Sequence, residues 1–313
     1  MTCSGEKHSI NVVALAGGVG GAKMVDGLAQ VLDPDCLTVV VNTGDDFEHF
    51  GLYICPDIDT ICYTLAGIAN VSTGWGRSSE TWNALDTIKM LSGETWFKLG
   101  DRDLGTHLVR TEWRKAGKSL SQITHDFCNA WGIRVSVLPM SDEVVRTIVV
   151  TRDGRALPFQ EYFVKYQCQP EVSSFIFEGI EQARPAPGVL SALEKADLII
   201  ICPSNPWVSI DPILSVSGIR QAISNKIVIA ISPIIQGRTV KGPAAKMFSE
   251  LDIQPSASAV ALHYKELLSG YVLDKTDYKE SRLITQWGII PYETNILIPT
   301  AEDRARLACE VLA

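Results

Sequence analysis

The amino-acid sequence predicts an α/β protein with a doubly wound, mostly parallel, Rossmann-like sheet and a helical insertion. Short apolar runs rich in β-branched residues alternate with segments of helical spacing, which is typical of parallel sheets with crossover helices. The first apolar run ends in a group of glycines that opens a helix. One long stretch, residues 71–133, contains only helical patterns and interrupts the alternation. These three observations together indicate the fold class.

The composition is that of a globular protein with a large core. Of its 313 residues, 46% are hydrophobic and 20% are charged. This length corresponds to about two domains, or to one large domain with an insertion. We assign residues 8–70 and 134–313 to a nucleotide-binding core and residues 71–133 to a helical cap. The formal charge of −8 argues against a protein that coats nucleic acid, so no nucleic-acid partner is expected.

The cysteines and the apolar runs predict a cytoplasmic protein. The eight cysteines never form a C-x-x-C pair, and several, such as Cys62 and Cys202, lie inside apolar runs. This usage is typical of a reducing compartment rather than of a disulfide framework. The first ten residues lack the apolar segment of a signal peptide, and no apolar run approaches the roughly 18 residues of a membrane span. We therefore expect no membrane partner.

The first elements of the core form a strand–helix–strand unit. Residues 8–16 are predicted as a buried strand, residues 22–32 as a helix and residues 36–42 as a second buried strand. Parallel strands joined by a helix form a right-handed crossover. A further helix is expected at residues 61–67, with Asp59 or Thr60 as its N-cap.

The cap is predicted to consist of helices joined by glycine-containing turns. It is rich in tryptophan, since five of the seven in the chain lie there: Trp75, Trp82, Trp96, Trp113 and Trp131. After the cap, the pattern predicts strands at 144–151 and 157–166 with a turn at 152–155, then a helix at 188–195 and a strand at 197–202. The remaining predicted elements are helix 213–224, strand 226–232, helices 244–251 and 258–270, strand 284–290 and helix 301–312.

The glycine-rich loop after the first strand is a candidate phosphate site. It consists of Gly17, Gly18, Val19, Gly20 and Gly21, and Lys23 follows it. Free amides and the helix dipole bind phosphate at such a place. The spacing is not that of a Walker loop and matches the dinucleotide fingerprint poorly. A tight turn that needs glycine for packing alone is the alternative, but four glycines in five positions favour phosphate contact.

Four aspartates form the strongest local signal. They follow the second strand and the next turn: Asp45, Asp46, Asp57 and Asp59. Carboxylates at strand ends suit Mg²⁺, which prefers oxygen ligands, and in an extended turn residues 57 and 59 would point the same way. Capping and solvation are the alternative. We predict a Mg²⁺ site with Asp45 and Asp59 as direct ligands and with Asp46 or Asp57 as a proton acceptor.

Two further segments are candidates for substrate contact. The cap carries a group of polar residues that would suit a planar aromatic substrate: Asp101, Arg102, Asp103 and His107. A solvated helix start explains them equally well. Ser204 and Asn205 lie between two prolines after a buried strand, where open α/β sheets bind ligands. An ordinary proline-bracketed turn is the alternative there.

Taken together, these motifs resemble the 2-phospho-L-lactate transferase (CofD-like) family of coenzyme F-420 biosynthesis. They run in order from about residue 10 to residue 246 and include AGGVGGAK, VNTGDD, GLYICPDIDTICYTLAG, GWGRSSETWN, LGDRDLGTHLVR, PSNPWVSIDPIL and SPIIQGRTVKGPA. The resemblance implies transfer of a phospho-hydroxyacid from a guanosine-diphospho donor to the ribityl hydroxyl of the deazaflavin FO, with release of GMP. The acid is 2-phospholactyl, phosphoenolpyruvyl or 3-phosphoglyceryl.

The resemblance also implies roles for individual residues. Asp45 and the aspartates of the PDIDT motif match the acidic metal site. The glycine loop and the PSNP turn match nucleotide-side positions, and residues 100–107 match the region that binds FO. A homodimer is expected on the same ground.

Two other functions fit the sequence less completely. One is a nucleotide-sugar-binding regulatory protein of the same superfamily without transferase activity, which would not need the helical cap. The other is a dinucleotide-dependent oxidoreductase, which would rest on the glycine-rich turn alone.

Overall fold

A seven-stranded parallel sheet forms the centre of the protein, as seen in a computed structural model that describes residues 9–240 and 242–313. Residue 8, at the start of the predicted first strand, lies outside this range. In chain order the strands of the main sheet are β1 (Val12–Ala16), β2 (Leu37–Val41), β3 (Ser136–Pro139), β4 (Leu198–Ile201), β5 (Ile227–Ile231), β6 (Gly270–Asp274) and β7 (Ile290–Thr294).

The strand order in space is β7-β6-β5-β4-β1-β2-β3, and every pairing is parallel. The order reverses between β1 and β4, so this is the Rossmann-like, doubly wound topology that the sequence predicts. At such a switch point the loops that leave the strand ends diverge and open a crevice for ligands. The predicted fold class is confirmed.

Twelve α-helices accompany the described strands and cover both faces of the sheet. They are α1 (Gly18–Val31), α2 (Pro56–Leu65), α3 (Asn83–Met90), α4 (Asp101–Lys115), α5 (Leu120–Ala130), α6 (Val189–Lys195), α7 (Asp211–Ser215), α8 (Ile219–Ile223), α9 (Ala244–Glu250), α10 (Ala257–His263), α11 (Ser281–Gln286) and α12 (Ala301–Leu312). In the part of the chain that the structure describes, no helix is both long and apolar enough to cross a membrane.

Two hydrophobic clusters hold the helices on the sheet. One contains Leu28 of α1, Ile58 of α2 and Leu307 of α12, and the other contains Leu193 of α6 and Val260 of α10. Each of these side chains is almost fully buried. Because burial of a Leu or Ile side chain contributes about 1.5–3 kcal/mol, these two clusters dominate the stability of the core.

Small antiparallel elements lie around the main sheet. A hairpin pairs Phe47–His49 with Leu52–Ile54, and a three-stranded sheet joins Ala156–Pro158, Arg146–Thr151 and Val172–Glu178. A second, very short hairpin pairs Ile234–Ile235 with Arg238–Thr239. Two π-helices, Glu161–Lys165 and Pro206–Ile210, complete the described regular structure together with the 3₁₀ turns Pro34–Cys36 and Lys275–Glu280.

Several predicted boundaries were wrong. The predicted strand 157–166 ends at Pro158, since its second half forms a π-helix. The predicted helix 258–270 ends at His263 and strand β6 follows it, because a short apolar run fits either state. Most of the predicted strand 284–290 is helix α11 or the turn after it. The predicted helix 213–224 consists of two short helices, α7 and α8, and strand β3 was not predicted.

Helix α2 begins five residues earlier than predicted, and this change matters for the site. Pro56 occupies its first turn and Cys55 is the N-cap, so neither Asp59 nor Thr60 is the cap. Proline is favoured at this position because its missing N–H would be unsatisfied anyway. Asp57 and Asp59 therefore lie within a helix rather than in an extended turn.

Residues 71–133 contain helices α3, α4 and α5. Helix α5 begins with a capping box made by Ser119 and Gln122, and its Leu120 and Cys128 join the same hydrophobic cluster as Leu28 of α1. The part of the segment that contains α3 is more exposed, and α3 has no buried side chain. The division into a core and a cap stays a prediction.

Candidate functional site

The candidate site lies at the switch point of the sheet, where the loops after β1, β2 and β4 meet. The loop after β1 is held by Ser204 in the loop after β4. The Gly17 N–H donates to Ser204 Oγ at 3.2 Å, and the Ser204 hydroxyl donates to the Gly17 carbonyl oxygen at 2.8 Å. Ser204 therefore holds the loop after β1 to the loop after β4. Both loops lie at the switch point, where the sequence predicted ligand contact for Ser204.

Packing accounts for three of the four glycines in the loop. A Cβ on Gly17 would lie 2.5 Å from Asp57 Oδ2, one on Gly21 would lie 2.7 Å from Ser204 Oγ, and one on Gly20 would collide with the Pro203 carbonyl oxygen. The alternative of glycine for close packing thus holds at these positions. It does not exclude phosphate contact, which stays a prediction.

Gly18 is required for a different reason. Its φ of +65° lies in the left-handed region, and among the described residues no atom outside its chain neighbours and the nearby helix backbone lies within 4 Å of where its Cβ would be. The Gly18 N–H donates to Asp57 Oδ1 at 2.8 Å. Val19 and Lys23 follow on α1 and are half-buried. The start of α1 is thus open on one side and bound to a carboxylate on the other.

Asp45 and Asp57 form a pair joined by one amide group. Asn42 Nδ2 lies 3.2 Å from Asp45 Oδ1 and 2.9 Å from Asp57 Oδ2. Gln160 Nε2 lies 3.4 Å from the other oxygen of Asp45. Among the described residues, the hydrogen-bond partners of these two carboxylates are neutral amides and the Gly18 N–H.

The pair carries negative charge in a buried place. Burial raises the pKa of Asp57 to about 6, although hydrogen bonds from Asn42 and from the Gly18 N–H lower it. Burial and the neighbouring Asp57 charge raise the pKa of Asp45 well above its ordinary value. Removing a carboxylate from water disfavours its charged form, and a second carboxylate nearby adds repulsion. A bound cation would relieve both effects.

Asp59 belongs to a different environment, on the side of the cap. The Arg110 guanidinium of α4 donates to both of its oxygens, with 3.0 Å from Nη1 to Oδ2 and a short contact from Nη2 to Oδ1. Arg110 is only 1% exposed. Arg110 Nη1 also lies 3.0 Å from His107 Nδ1. This bidentate ion pair is charge-assisted and ties α4 to α2.

Asp46 is buried, within reach of the charges of Asp59 and Arg110. Burial raises its pKa to about 8, and the Cys55 thiol, the Arg110 guanidinium and the Tyr53 hydroxyl offset this only in part. Neither of its carboxylate oxygens has a hydrogen bond of good geometry within the described part of the chain. Asp46 therefore has acceptor capacity that the protein itself does not use.

The expectation that Asp57 and Asp59 point the same way was wrong. They lie two positions apart in the first turn of α2, which separates their directions by about 200° around the helix axis. Asp57 faces Gly18 and Asn42, whereas Asp59 faces Arg110. The structure therefore brings Asp45 together with Asp57, and the two predicted metal ligands, Asp45 and Asp59, do not share a described hydrogen-bond partner.

The residues at this edge fit a hard divalent cation supplied with further ligands from outside the protein. Residues 9–240 and 242–313 contain no group of three or more His, Cys, Asp or Glu that would hold a metal by itself. Asp45 and Asp57 offer two buried carboxylates. Mg²⁺ is commonly bound by one or two carboxylates together with waters and substrate phosphate oxygens. The donor set therefore suits Mg²⁺ in the presence of a phosphorylated substrate.

In the cap, the side chains of Asp101 and Glu80 each cap a helix: Asp101 caps α3 and Glu80 caps α4. The Asp101 carboxylate accepts hydrogen bonds from Thr81 Oγ1 and from the Asn83 and Ala84 N–H groups at the start of α3. The Glu80 carboxylate accepts from the Arg102 and Asp103 N–H groups at the start of α4. Hydrogen bonds from Thr81 and the Ala84 N–H hold the pKa of Asp101 well below its usual range. The exposed Arg102 follows on the same helix.

Asp103 and His107 are buried between the cap and α2. The Tyr63 hydroxyl donates to Asp103 Oδ1 at 2.7 Å, and His107 Nε2 lies 3.4 Å from the same oxygen. Burial raises the pKa of Asp103, but the neighbouring His107 ring, the hydrogen bond from Tyr63 and the charge of Arg110 lower it below its ordinary value. These two residues, with Arg110 and Asp59, form one polar network that joins α4 to α2.

A small cavity lies in the cap beside this network. Its walls include Trp75, Arg77, Trp82 and Asp103, and its volume is about 20 Å³. This is room for about one water molecule. Both tryptophans are also partly exposed, at 44% and 36%. A planar ligand would therefore need the segment around residues 70–82 to move.

Asn205 caps the π-helix that follows β4. Its Oδ1 accepts from the Trp207 N–H at 3.1 Å, and its Nδ2 lies 3.3 Å from Met247 Sδ. Its described contacts are thus those of a turn residue, as the alternative interpretation of the PSNP motif expects. The same π-helix turns its Val208 carbonyl oxygen towards Asn42, at 3.1 Å.

Three residues of the site were missed from the sequence: Asn42, Arg110 and Gln160. Asn42 lies in the VNTGDD motif and Arg110 three positions after His107, so both were within the segments singled out. Their role depends on partners 15 to 166 positions away along the chain. No local pattern reports such distant partners. Gln160 was hidden because its segment had the pattern of a strand.

Comparisons with known proteins agree with the motifs and the fold. A phosphoenolpyruvate transferase of Kitasatospora aureofaciens is 43% identical to this chain over 312 residues, which is 97% of each chain. A phosphoenolpyruvate transferase of Thermobifida fusca is 44% identical over 281 residues, or 86% of this chain and 87% of the relative. Among solved structures, protein BH3568 of Bacillus halodurans is similar with a TM-score of 0.65 at 16% identity, over 98% of this chain and 100% of that one.

The structural likeness supports the fold alone, because its sequence identity is low. The sequence likeness extends further. A family model described as 2-phospho-L-lactate transferase CofD matches residues 12–309, which is nearly the whole chain. The resemblance of the motifs is therefore confirmed, and the chain belongs to the 2-phospho-L-lactate transferase CofD family.

Proposed function

We propose that this protein transfers a phosphoenolpyruvyl group from a guanosine-diphospho donor to the ribityl hydroxyl of the deazaflavin FO and releases GMP, as a step of coenzyme F-420 biosynthesis. Membership of the CofD family supports the transferase class. The relatives named phosphoenolpyruvate transferase favour this acid over the 2-phospholactyl and 3-phosphoglyceryl groups. The observation that carries the proposal is the buried Asp45–Asp57 pair, which shares the switch-point crevice with the glycine loop.

Asp45 and Asp57 would hold Mg²⁺ in this proposal. When bound, the ion would neutralise charge on the phosphoryl group that is transferred and on the departing GMP. Asp57 also accepts a hydrogen bond from the Gly18 N–H, so this proposed metal ligand and the start of α1 are held in a fixed arrangement. The amides and the helix dipole at the start of α1 would then support the donor phosphates.

Asp46 is the carboxylate that we assign to the acceptor hydroxyl. Its two oxygens lack hydrogen bonds of good geometry within the described residues, whereas both oxygens of Asp57 and of Asp59 are engaged. Asp46 would accept the proton of the attacking alcohol in its ionised form, whose share grows as the pH rises towards its raised pKa of about 8. The loose transition state of phosphoryl transfer needs little help from a base, so its contribution is smaller than that of charge neutralisation.

The cap would bind FO through the segment that contains Trp75, Arg77 and Trp82. Aromatic side chains with a few polar groups suit a planar, mostly apolar ring system. Because the cavity between them is small, binding of FO would open this segment and order it again around the ligand. The buried network of Asp103, His107 and Arg110 would keep the helix beneath it fixed. We also propose that the protein is a homodimer, which light scattering of the purified protein would test. We further propose that it is cytoplasmic.

Mass spectrometry of the product tests the proposal. The purified protein is incubated with Mg²⁺, FO and each of the three guanosine-diphospho donors, and the mass of the product and the release of GMP are followed. We expect the phosphoenolpyruvyl product to predominate. No product from any donor, together with no quenching of FO fluorescence, would contradict the proposal and favour a nucleotide-sugar-binding protein. A different predominant acid would overturn only the choice of donor.

A further inference from the structure

We propose that Asn42 is a positioning residue whose side-chain amide sets the separation of the Asp45 and Asp57 carboxylates, so that together they accept a divalent cation. The inference rests on the proposed function, since the cation is the one that would accompany the phosphorylated donor. Asn42 directly follows β2, and its side chain lies between Asp45 in the next loop and Asp57 in the first turn of α2. Its side chain is fully buried, so it acts through its neighbours.

The contacts of Asn42 use every polar atom of its side chain. Its Nδ2 group lies 2.9 Å from Asp57 Oδ2, 3.2 Å from Asp45 Oδ1 and 3.1 Å from the Val208 carbonyl oxygen. Its Oδ1 accepts the Gly44 N–H at 2.8 Å. The side chain is fully buried. The two N–H groups of the amide thus face three acceptors, while its oxygen faces a donor.

The Gly44 contact fixes which way the amide points. Because a backbone N–H can only donate, the atom that faces Gly44 must be the amide oxygen. The amide NH₂ then faces the two carboxylates. A residue with the same shape but a carboxylate in place of the amide would put a third negative charge there. The observed orientation is therefore the one in which Asn42 offsets repulsion between Asp45 and Asp57.

Asn42 also connects the carboxylates to the rest of the crevice. Asp57 Oδ1 binds the Gly18 N–H of the glycine loop, and Val208 lies in the π-helix that follows β4. The amide is thus the point where the loops after β1, β2 and β4 are joined. Groups that orient metal ligands in this way typically change metal affinity by about 10–100-fold when they are removed.

Gln160 supports the same pair less strongly. Its Nε2 lies 3.4 Å from Asp45 Oδ2, and it has no described contact with Asp57. It therefore restrains one carboxylate rather than the distance between two. This difference gives a graded comparison between two amides that approach the same carboxylate from opposite sides.

The test compares Asn42→Ala and Asn42→Ser with the unaltered full-length chain. Binding of Mg²⁺ is measured by calorimetry in the presence of GDP, and the Mg²⁺ concentration that gives half-maximal turnover of FO is measured separately. We expect Asn42→Ala to weaken Mg²⁺ binding and to raise the half-saturating concentration by about 10–100-fold. Turnover should recover within a few-fold at saturating Mg²⁺. Asn42→Ser keeps one donor, so it should fall between the two.

The controls separate positioning from packing. Asn129→Ala removes an exposed amide whose side-chain hydrogen bond among the described residues is with His125, and it should leave both measurements unchanged. If Asn42→Ala does not fold, Asn42→Ser and Gln160→Ala still test the inference, with a shift of a few-fold expected for Gln160→Ala. A loss of turnover at every Mg²⁺ concentration, with unchanged half-saturation and unchanged calorimetric affinity, would show a packing role and overturn the inference.

The outcomes also distinguish this inference from the proposed function. Weaker Mg²⁺ binding in the variants of a protein that makes no product from FO would retain Asn42 as a positioning residue and reject the transferase. If instead all variants make product, and their half-saturating Mg²⁺ concentrations equal that of the unaltered chain, the transferase is retained and the role of Asn42 is rejected.

Discussion

Two pairs of aspartates, each with one member after β2 and one in the first turn of α2, have opposite surroundings. Asp45 and Asp57 are joined by the Asn42 amide and the Gly18 N–H, and among the described residues no cation hydrogen-bonds with them. Asp59, with Asp46 nearby, faces the Arg110 guanidinium from the cap. The first pair keeps negative charge that a ligand can neutralise. In the second, the Arg110 guanidinium neutralises Asp59 and joins α4 to α2, whereas the oxygens of Asp46 have no hydrogen bond of good geometry within the described residues.

The difference shows that buried carboxylates of one cluster serve two purposes. A buried charge pair with good geometry fixes the relative position of two helices, but it leaves nothing for a ligand to bind. A pair held only by neutral donors is less stable by itself and is suited to bind a cation. The contrast leads to four predictions, from the largest expected effect to the smallest.

Replacing Arg110 should produce the largest effect, on stability. In Arg110→Met the Asp59 carboxylate is left buried without its partner, which costs about 3–5 kcal/mol in the free energy of unfolding. Urea unfolding followed by circular dichroism measures this change. The double variant with Asp59→Leu, which removes both charges, should recover most of the loss. Equal stability of Arg110→Met and the unaltered chain would show that the pair does not join the cap to the core.

Asp57→Asn should leave the fold intact and abolish most of the activity. The substitution keeps the shape and removes a charge that burial makes costly, but its NH₂ group cannot accept one of the two hydrogen bonds that Gly18 and Asn42 donate to Asp57. The two effects oppose each other, so the thermal midpoint is expected to change little. Transfer to FO should fall by about 10²–10³-fold, because electrostatic stabilisation of the transferred group is lost. Asp59→Asn is the matched comparison, and we expect its main effect to be a loss of stability. Near-normal turnover in Asp57→Asn would remove the metal role of this pair.

The fold could be predicted from the sequence to a large extent, because periodicity reports burial. The runs that became β1, β2, β4 and β5 are apolar except for Thr38 of β2, as expected of strands covered on both faces. Strand β6 was missed because its five residues follow an apolar helix without a strong turn signal except Gly270. Periodicity also does not show where a helix begins, which is why the start of α2 was misplaced.

The members of the site could be predicted, but their pairing could not. The four aspartates were recognised from their spacing and their place after strands. Which of them share a partner depends on the rotation of α2, set by its start at Pro56, and on Arg110, which lies 51 positions beyond Asp59. Asn42 is one residue after β2 and looks like an ordinary strand end. Only the three-dimensional arrangement shows that its amide lies between two carboxylates.

Alanine at two glycines sharpens the comparison further. In Gly17→Ala the new Cβ would lie 2.5 Å from the buried Asp57 Oδ2 and 2.8 Å from Ser209 Cβ, so the carboxylate or the loop must shift. We expect a cost of about 1–3 kcal/mol in stability, as for other overpacked sites, and weaker Mg²⁺-dependent activity.

In Gly100→Ala the Cβ would meet the Glu80 side chain, which caps α4. Loss of that cap costs about 1 kcal/mol, and the Mg²⁺ concentration for half-maximal turnover should not change. A shift in that concentration for Gly100→Ala would show that the two regions are coupled.

The smallest effect is expected from Tyr63→Phe, on the cap side. The hydroxyl that is removed donates to Asp103 at 2.7 Å and helps the pKa of Asp103 to lie below its ordinary value. A group with a depressed pKa in the folded state contributes stability that is present above its unfolded pKa of about 3.9 and is lost as the pH falls through the folded value. Tyr63→Phe should therefore lower the free energy of unfolding by about 1 kcal/mol at pH 7, and the difference from the unaltered chain should shrink below pH 4. Urea unfolding at a series of pH values measures it. A difference that is constant with pH would mean that the hydroxyl packs in the cap without stabilising the Asp103 carboxylate.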